Sequence, residues 1–147
     1  MSPLLSMLVL IQSIWTEPEI VLYDQDLNEL AYSKWASNRD EVAKLMPELE
    51  RLITSIGKKT TDLEKIVVVN GIGGFSSTRI GVTVANTLAI ITGAGLYVWT
   101  IEKDQERPDL RSEFAKSWPN QMHHVPIAEP IYDSAPMISP SKKKQFN

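Results

Sequence analysis

From Ile80 to Ile101 the chain carries no charged residue. A run of that length either crosses a bilayer or is buried inside a fold, so it constrains the architecture more than any other segment. Its punctuation decides for burial. Asn86, Thr87 and Thr92 are polar, and Thr92-Gly93-Ala94-Gly95 cuts the run in two. The first piece has the length of a helix, from about Ser76 to Ile91. The second, Leu96-Tyr97-Val98-Trp99-Thr100, is aromatic and β-branched and suits a strand over Gly95–Ile101. The expectation is a buried helix, a turn and a buried strand, with no membrane span.

The segments upstream supply a sheet for these elements. Ser6 to Ser13 is an almost continuous apolar run, the pattern of a central strand buried on both faces. Glu19–Tyr23 and Asn28–Lys34 read as second and third strands, joined by turns at Trp15–Pro18 and Asp24-Gln25-Asp26, an antiparallel meander. Val42, Leu45, Met46, Leu49, Leu52, Ile53 and Ile56 then recur at helical spacing. Ser37 or Asn38 is placed to cap that helix, Asp40 and Glu41 suit its first turn, and Gly57-Lys58-Lys59 is a stop signal. Leu63–Asn70, centred on Ile66-Val67-Val68-Val69, is a fourth buried strand. The order βββαβαβ predicts an α/β fold, a mixed five-stranded sheet with helices packed on it. It is the order of the ribonuclease-H-like half-fold shared by actin and hexokinase-type proteins. Residues 1–101 would form this lobe. Residues 102–147 would add a short charged helix over Asp109–Ser117 and a Pro- and Lys-containing tail lying along the surface or partly disordered.

At 147 residues the chain has the length of one domain. Its net charge of -3 argues against a surface that is wholly a nucleic-acid footprint. Without cysteine it has no disulfide, cysteine–zinc site, iron–sulfur cluster or thiol nucleophile, which suits a reducing cytoplasm. Met1–Trp15 lacks the basic region and small-residue cleavage site of a signal peptide, so a cytoplasmic protein is expected.

The most informative motif is Asn70-Gly71-Ile72-Gly73-Gly74-Phe75-Ser76-Ser77-Thr78-Arg79-Ile80-Gly81. A glycine-rich turn between strand and helix can aim backbone N–H groups at an anion, or can simply be a tight turn. Gly71, Gly73 and Gly74 complete neither the dinucleotide fingerprint nor a phosphate loop. The whole string, however, resembles Gly-Pro-Gly-Ser-Phe-Thr-Gly-Leu-Arg-Ile-Gly of the TsaB (YeaZ) family. Gly71, Gly73, Phe75, Arg79, Ile80 and Gly81 match residue for residue, Ser76 replaces threonine, and Ile72, Gly74, Ser77 and Thr78 depart. Leu45-Met46-Pro47 resembles the family's Leu-Leu-Pro. Glu129-Pro130-Ile131-Tyr132, Ala135-Pro136 and Lys142-Lys143-Lys144 resemble its C-terminal segment. The likeness covers residues 7–101 and, less closely, 127–144, as in a divergent, shortened member from which most of the second half is missing.

The resemblance implies a non-catalytic scaffold or activator subunit. Its partner would be the catalytic TsaD subunit that makes threonylcarbamoyladenosine (t6A) in tRNAs reading ANN codons, with a TsaE-type ATPase as a further partner. It implies no cofactor of its own, since ATP and metal belong to TsaD. The residues agree. Where actin-like relatives carry a carboxylate after the first strand, this chain has Gln12-Ser13-Ile14-Trp15, and hard cations want charged oxygens. His123 and His124 are adjacent and point to opposite faces of an extended segment. Ser13, Ser76 and Ser77 lack a nearby histidine base. Asp24 and Asp26 read as a polar hairpin turn. The alternatives are a stand-alone homodimeric interaction protein and a degenerate actin-like ATP-binding or M22-peptidase-like protein.

A scaffold needs an apolar face for its partner. The second helix is apolar around nearly its whole circumference, so one side meets the sheet and the other is offered to a partner. Small Gly81, Ala85 and Ala89 repeat at four-residue spacing, which suits close helix approach. The expected interface is Leu45, Leu49, Arg79, Gly81, Val82, Ala85 and Ala89, with Gly71, Gly73, Gly74 and Phe75 forming a structural turn. In the family these two helices pair with those of TsaD or of a second copy. Lys142–Lys144 either contacts tRNA weakly or is a solvated terminus.

Overall fold

A computed structural model describes residues 6–15, 17–36, 41–71, 75–101 and 109–129. Strands β1 (Met7–Gln12), β2 (Glu19–Tyr23) and β3 (Glu29–Lys34) precede helix α1 (Glu41–Ser55). A 3₁₀ turn (Thr60–Asp62) then leads into β4 (Leu63–Gly71), α2 (Phe75–Thr92) and β5 (Gly95–Ile101). Helix α3 (Leu110–Ser117) and β6 (Met122–Val125) follow. The proposed caps at Ser37, Asn38 and Asp40 lie outside the described residues.

The sheet runs β3-β2-β1-β4-β5-β6. β1, β2 and β3 form the antiparallel meander, β1–β4 and β4–β5 are parallel, and β5–β6 is antiparallel. The sheet therefore has six strands, not the expected five. The added strand is Met122-His123-His124-Val125, whose two histidines are exposed. A short edge strand with a polar centre gives no period-2 signal, and what defines it is pairing with the free edge of β5.

The central strands explain why the sequence does not alternate. β1 and β2 are buried at every position because helices cover both faces. On one face Val9, Ile11, Leu22, Ile66, Val68 and Val98 pack against Leu45, Leu49 and Ile53 of α1 and Val82, Ala85 and Leu88 of α2. On the other, Leu8, Leu10, Val21, Val67, Val69 and Trp99 pack against Leu110 and Phe114 of α3. Phe114 stacks on Tyr23 at 4.9 Å, and Arg111 clamps the same helix to β3 through both oxygens of Glu29 at 2.7 and 2.8 Å. The short helix expected to be charged thus carries apolar residues on one face, and that face closes the second layer.

The uncharged run divides as its punctuation requires. Gly93 takes φ +74 between α2 and β5, the left-handed conformation that glycine adopts without strain. No helix among the described residues is long and apolar enough to cross a membrane.

Candidate interaction surface and the end of the sheet

Most residues expected at a partner interface are buried inside the chain. Leu45, Leu49, Val82 and Ala85 belong to the core, and Ala85 is 0% exposed. Gly81 is buried as well. A Cβ added there would stand 2.3 Å from Ser13 Oγ and 3.9 Å from Val68 Cγ2. The small residues of α2 therefore serve close approach to this chain's own sheet. Ala89 is half-buried and Arg79 is exposed.

The opposite face of α2 is the accessible one. It presents Thr83, Thr87, Ile90 and Ile91, with Ile90 83% and Ile91 62% exposed. Side chains four apart lie one above the other, so Thr83, Thr87 and Ile90–Ile91 form one ridge without charge, beginning one turn above the exposed Arg79. A solvated helix normally presents ionic groups outward. α1 does so, exposing Lys44, Glu50 and Arg51. Its Glu48 accepts hydrogen bonds from the Ser33 hydroxyl and from Arg51, whose Nε lies 2.9 Å away, and these donors hold the carboxyl down to about 2. All-round apolarity could not tell which side of α2 was covered. Thr83 and Thr87 do not read as apolar, and the usable signal was the missing charge.

Beside this ridge the chain returns. Asn86 Nδ2 donates to the Ala128 carbonyl at 3.0 Å, and the Ala128 N–H donates to Asn86 Oδ1 at 2.8 Å. Asn70 Nδ2 donates to the Glu129 carbonyl at 2.6 Å. Ala128 is buried in the core while Ile127 stays 65% exposed. Three side-chain hydrogen bonds thus pin residues 128–129 across α2 to the end of β4, which a sequence reading of Pro119–Asn147 as a surface-lying or partly disordered tail did not foresee.

β1 and β4 end where the strand order reverses, the place at which open α/β sheets commonly bind ligands. Here that end is occupied by internal contacts. Gln12 Oε1 accepts the N–H groups of Ile14 and Trp15 at 3.0 and 3.2 Å. Its Nε2 donates to the Glu17 carbonyl at 2.7 Å and to Glu19 at 2.8 Å. Glu19, buried on the neighbouring strand, also accepts from the Tyr32 hydroxyl at 2.8 Å. A carboxylate therefore stands beside Gln12 after all, delivered by β2, and both its oxygens accept from neutral donors. At Gly71 a Cβ would meet the Ile101 carbonyl oxygen at 2.9 Å, so the strand pairing itself requires glycine. Gly73 and Gly74 lie outside the described residues, and Phe75 opens α2.

Among the described residues no three His, Asp or Glu side chains are grouped to hold a metal. His124 stacks on Tyr97 at 4.8 Å. Asp24 accepts the N–H groups of Asp26 and Asn28, each at 2.9 Å; the Asn28 N–H is the chief cause of its lowered pKa. Asp24 is thus the organiser of the β2–β3 turn.

No protein-family model and no curated protein matches the chain. Solved structures do. YeaZ from Pseudomonas aeruginosa superposes with a TM-score of 0.58 at 18% identity, over 66% of this chain and 44% of that one. Over that region this chain shares the fold of part of YeaZ. A second structure from the same organism, described as an uncharacterized protein with similarity to peptidase YEAZ, gives a TM-score of 0.58 at 18% identity, over 66% and 43% of the two chains. The YeaZ fold is actin-like and ribonuclease-H-like, which accounts for the meander followed by two parallel crossovers. The matched region is less than half the length of those relatives.

Proposed function

We propose that this chain is a TsaB-type scaffold subunit that docks on a TsaD-type catalytic subunit in the synthesis of t6A in tRNA. The observation that carries this reading is the uncharged, isoleucine-bearing ridge of α2 on a YeaZ fold. A non-catalytic subunit acts by burying apolar surface on its partner, and among the described side chains of α2, Ile90 and Ile91 are the large hydrophobic ones left in water. ATP and metal would be handled by the partner, since the end of the sheet here is filled by Gln12, Glu19 and Tyr32.

Reconstitution tests the reading. The chain is added to a TsaD-type subunit, a TsaE-type ATPase, the threonylcarbamoyl-adenylate donor system and tRNA, and modified adenosine is measured by mass spectrometry. Modification that depends on this chain is the expected result. Modification at the same rate without it overturns the proposal. Light scattering of the chain alone separates a self-pairing interaction protein from a subunit that pairs only with TsaD.

A further inference from the structure

A half-open pocket of about 330 Å³, its mouth included, lies where β1 and β4 begin, at the opposite end of the sheet from Gln12 and Gly71. Leu8, Leu27 and Trp118 make its apolar wall, and Asp24, Glu64 and Lys65 bring charge to it. The wall is held from behind. Trp118 packs edge-on to Tyr97 at 4.9 Å and lies 5.7 Å from Phe114. The turn opposite is rigid, because Asp24 takes the N–H groups of Asp26 and Asn28 on one oxygen and the side-chain amide of Asn28 on the other. Within that turn Leu27 adopts φ +64, a conformation that L side chains disfavour and that persists only where the surroundings impose it.

Asp24 serves the turn, but the other two charges have little to do for the fold. Neither the Glu64 nor the Lys65 side chain forms an ion pair or hydrogen bond with another described residue. A plain anion entering here would meet two carboxylates and one ammonium. A plain cation would leave Lys65 without a counter-charge. A ligand carrying both charges on adjacent atoms complements all three groups, and an apolar body complements the wall. We propose that this pocket binds a small amino acid with an apolar side chain, as its zwitterion. Its ammonium faces Asp24 and Glu64, its carboxylate faces Lys65, and its side chain lies against Trp118 and Leu27. This does not depend on the proposed t6A role.

The test uses the full chain, labelled with nitrogen-15, and L-leucine as probe, with isopentylamine and 4-methylpentanoate as analogues lacking one charge each. Leucine should shift the Trp118 indole and Leu27 amide signals saturably at millimolar concentration, and each analogue should bind at least ~10-fold more weakly. Lys65→Met and Glu64→Gln, both at the pocket rim, should weaken leucine at least ~5-fold while leaving the rest of the spectrum unchanged. No saturable shift with leucine overturns the proposal. So does equal binding of either analogue, or wild-type affinity in both variants.

Discussion

Gly81 gives the sharpest test of how α2 sits. Replacing it with alanine adds one methyl inside a helix, which in an exposed helix gains about 1 kcal/mol of propensity. Here that Cβ would stand 2.3 Å from Ser13 Oγ, a separation that side chains do not tolerate. Ser13 is buried at the end of β1, so relief requires a rotamer change in a packed core. Overpacking of this kind costs about 1–3 kcal/mol. The net expectation for Gly81→Ala is destabilisation by about 1 kcal/mol, or roughly 4 °C in Tm for a chain of this size. Ser13→Ala removes the obstructing atom and leaves Ser13 Cβ at 3.4 Å, an ordinary contact. In that background Gly81→Ala should stabilise by about 0.5–1 kcal/mol, because only the propensity gain remains. The sign reversal corresponds to a coupling of about 2 kcal/mol in a double-mutant cycle read by urea unfolding. A neutral or stabilising Gly81→Ala in the wild-type chain, or a coupling near zero, refutes the close packing of α2 on β1.

Three further outcomes follow from the geometry. Gly71→Ala should destabilise by about 1–3 kcal/mol in urea titrations, because its Cβ meets a neighbouring strand's backbone oxygen at 2.9 Å. Asn86→Ala should cost about 2–4 kcal/mol by leaving the Ala128 N–H and carbonyl unpaired, and should speed hydrogen exchange at the Ala128 amide. Glu48, held down to about 2 by the Arg51 and Ser33 hydrogen bonds, contributes stability above its unfolded pKa near 4.5 and loses it as pH falls from there toward 2. Because Arg51 is largely exposed, solvent screening keeps the contribution small, and Arg51→Leu should flatten the stability profile across that window.

Sequence patterns reached the fold where burial was strong and local. The runs Met7–Ile11 and Leu63–Asn70, and the breaks at Gly57 and Gly93, mark β1, β4 and the ends of α1 and α2 within a residue or two. They could not reach β6, since Met122 and Val125 flank two exposed histidines and only β5 makes that segment a strand. The candidate surface was half legible. The uncharged helix was visible, but its orientation depends on Gly81 meeting Ser13, residues far apart in the chain. Periodicity therefore assigned the small residues to the partner when they belong to the sheet. Similarly, Gln12 announced a missing carboxylate, whereas its replacement by Glu19 across the strand pair is a matter of register.

The central claim is that the outward ridge of α2 is a docking surface for a TsaD-type subunit. Titration calorimetry of the chain with that subunit, comparing wild type with Ile90→Glu, tests it most directly. Ile90 is 83% exposed, so the substitution should leave Tm within about 2 °C of wild type. A charge placed in an apolar interface should weaken binding at least ~10-fold, equivalent to about 1.4 kcal/mol. Binding by wild type with that loss is the expected result. No binding by wild type, or equal affinity in Ile90→Glu, contradicts the account.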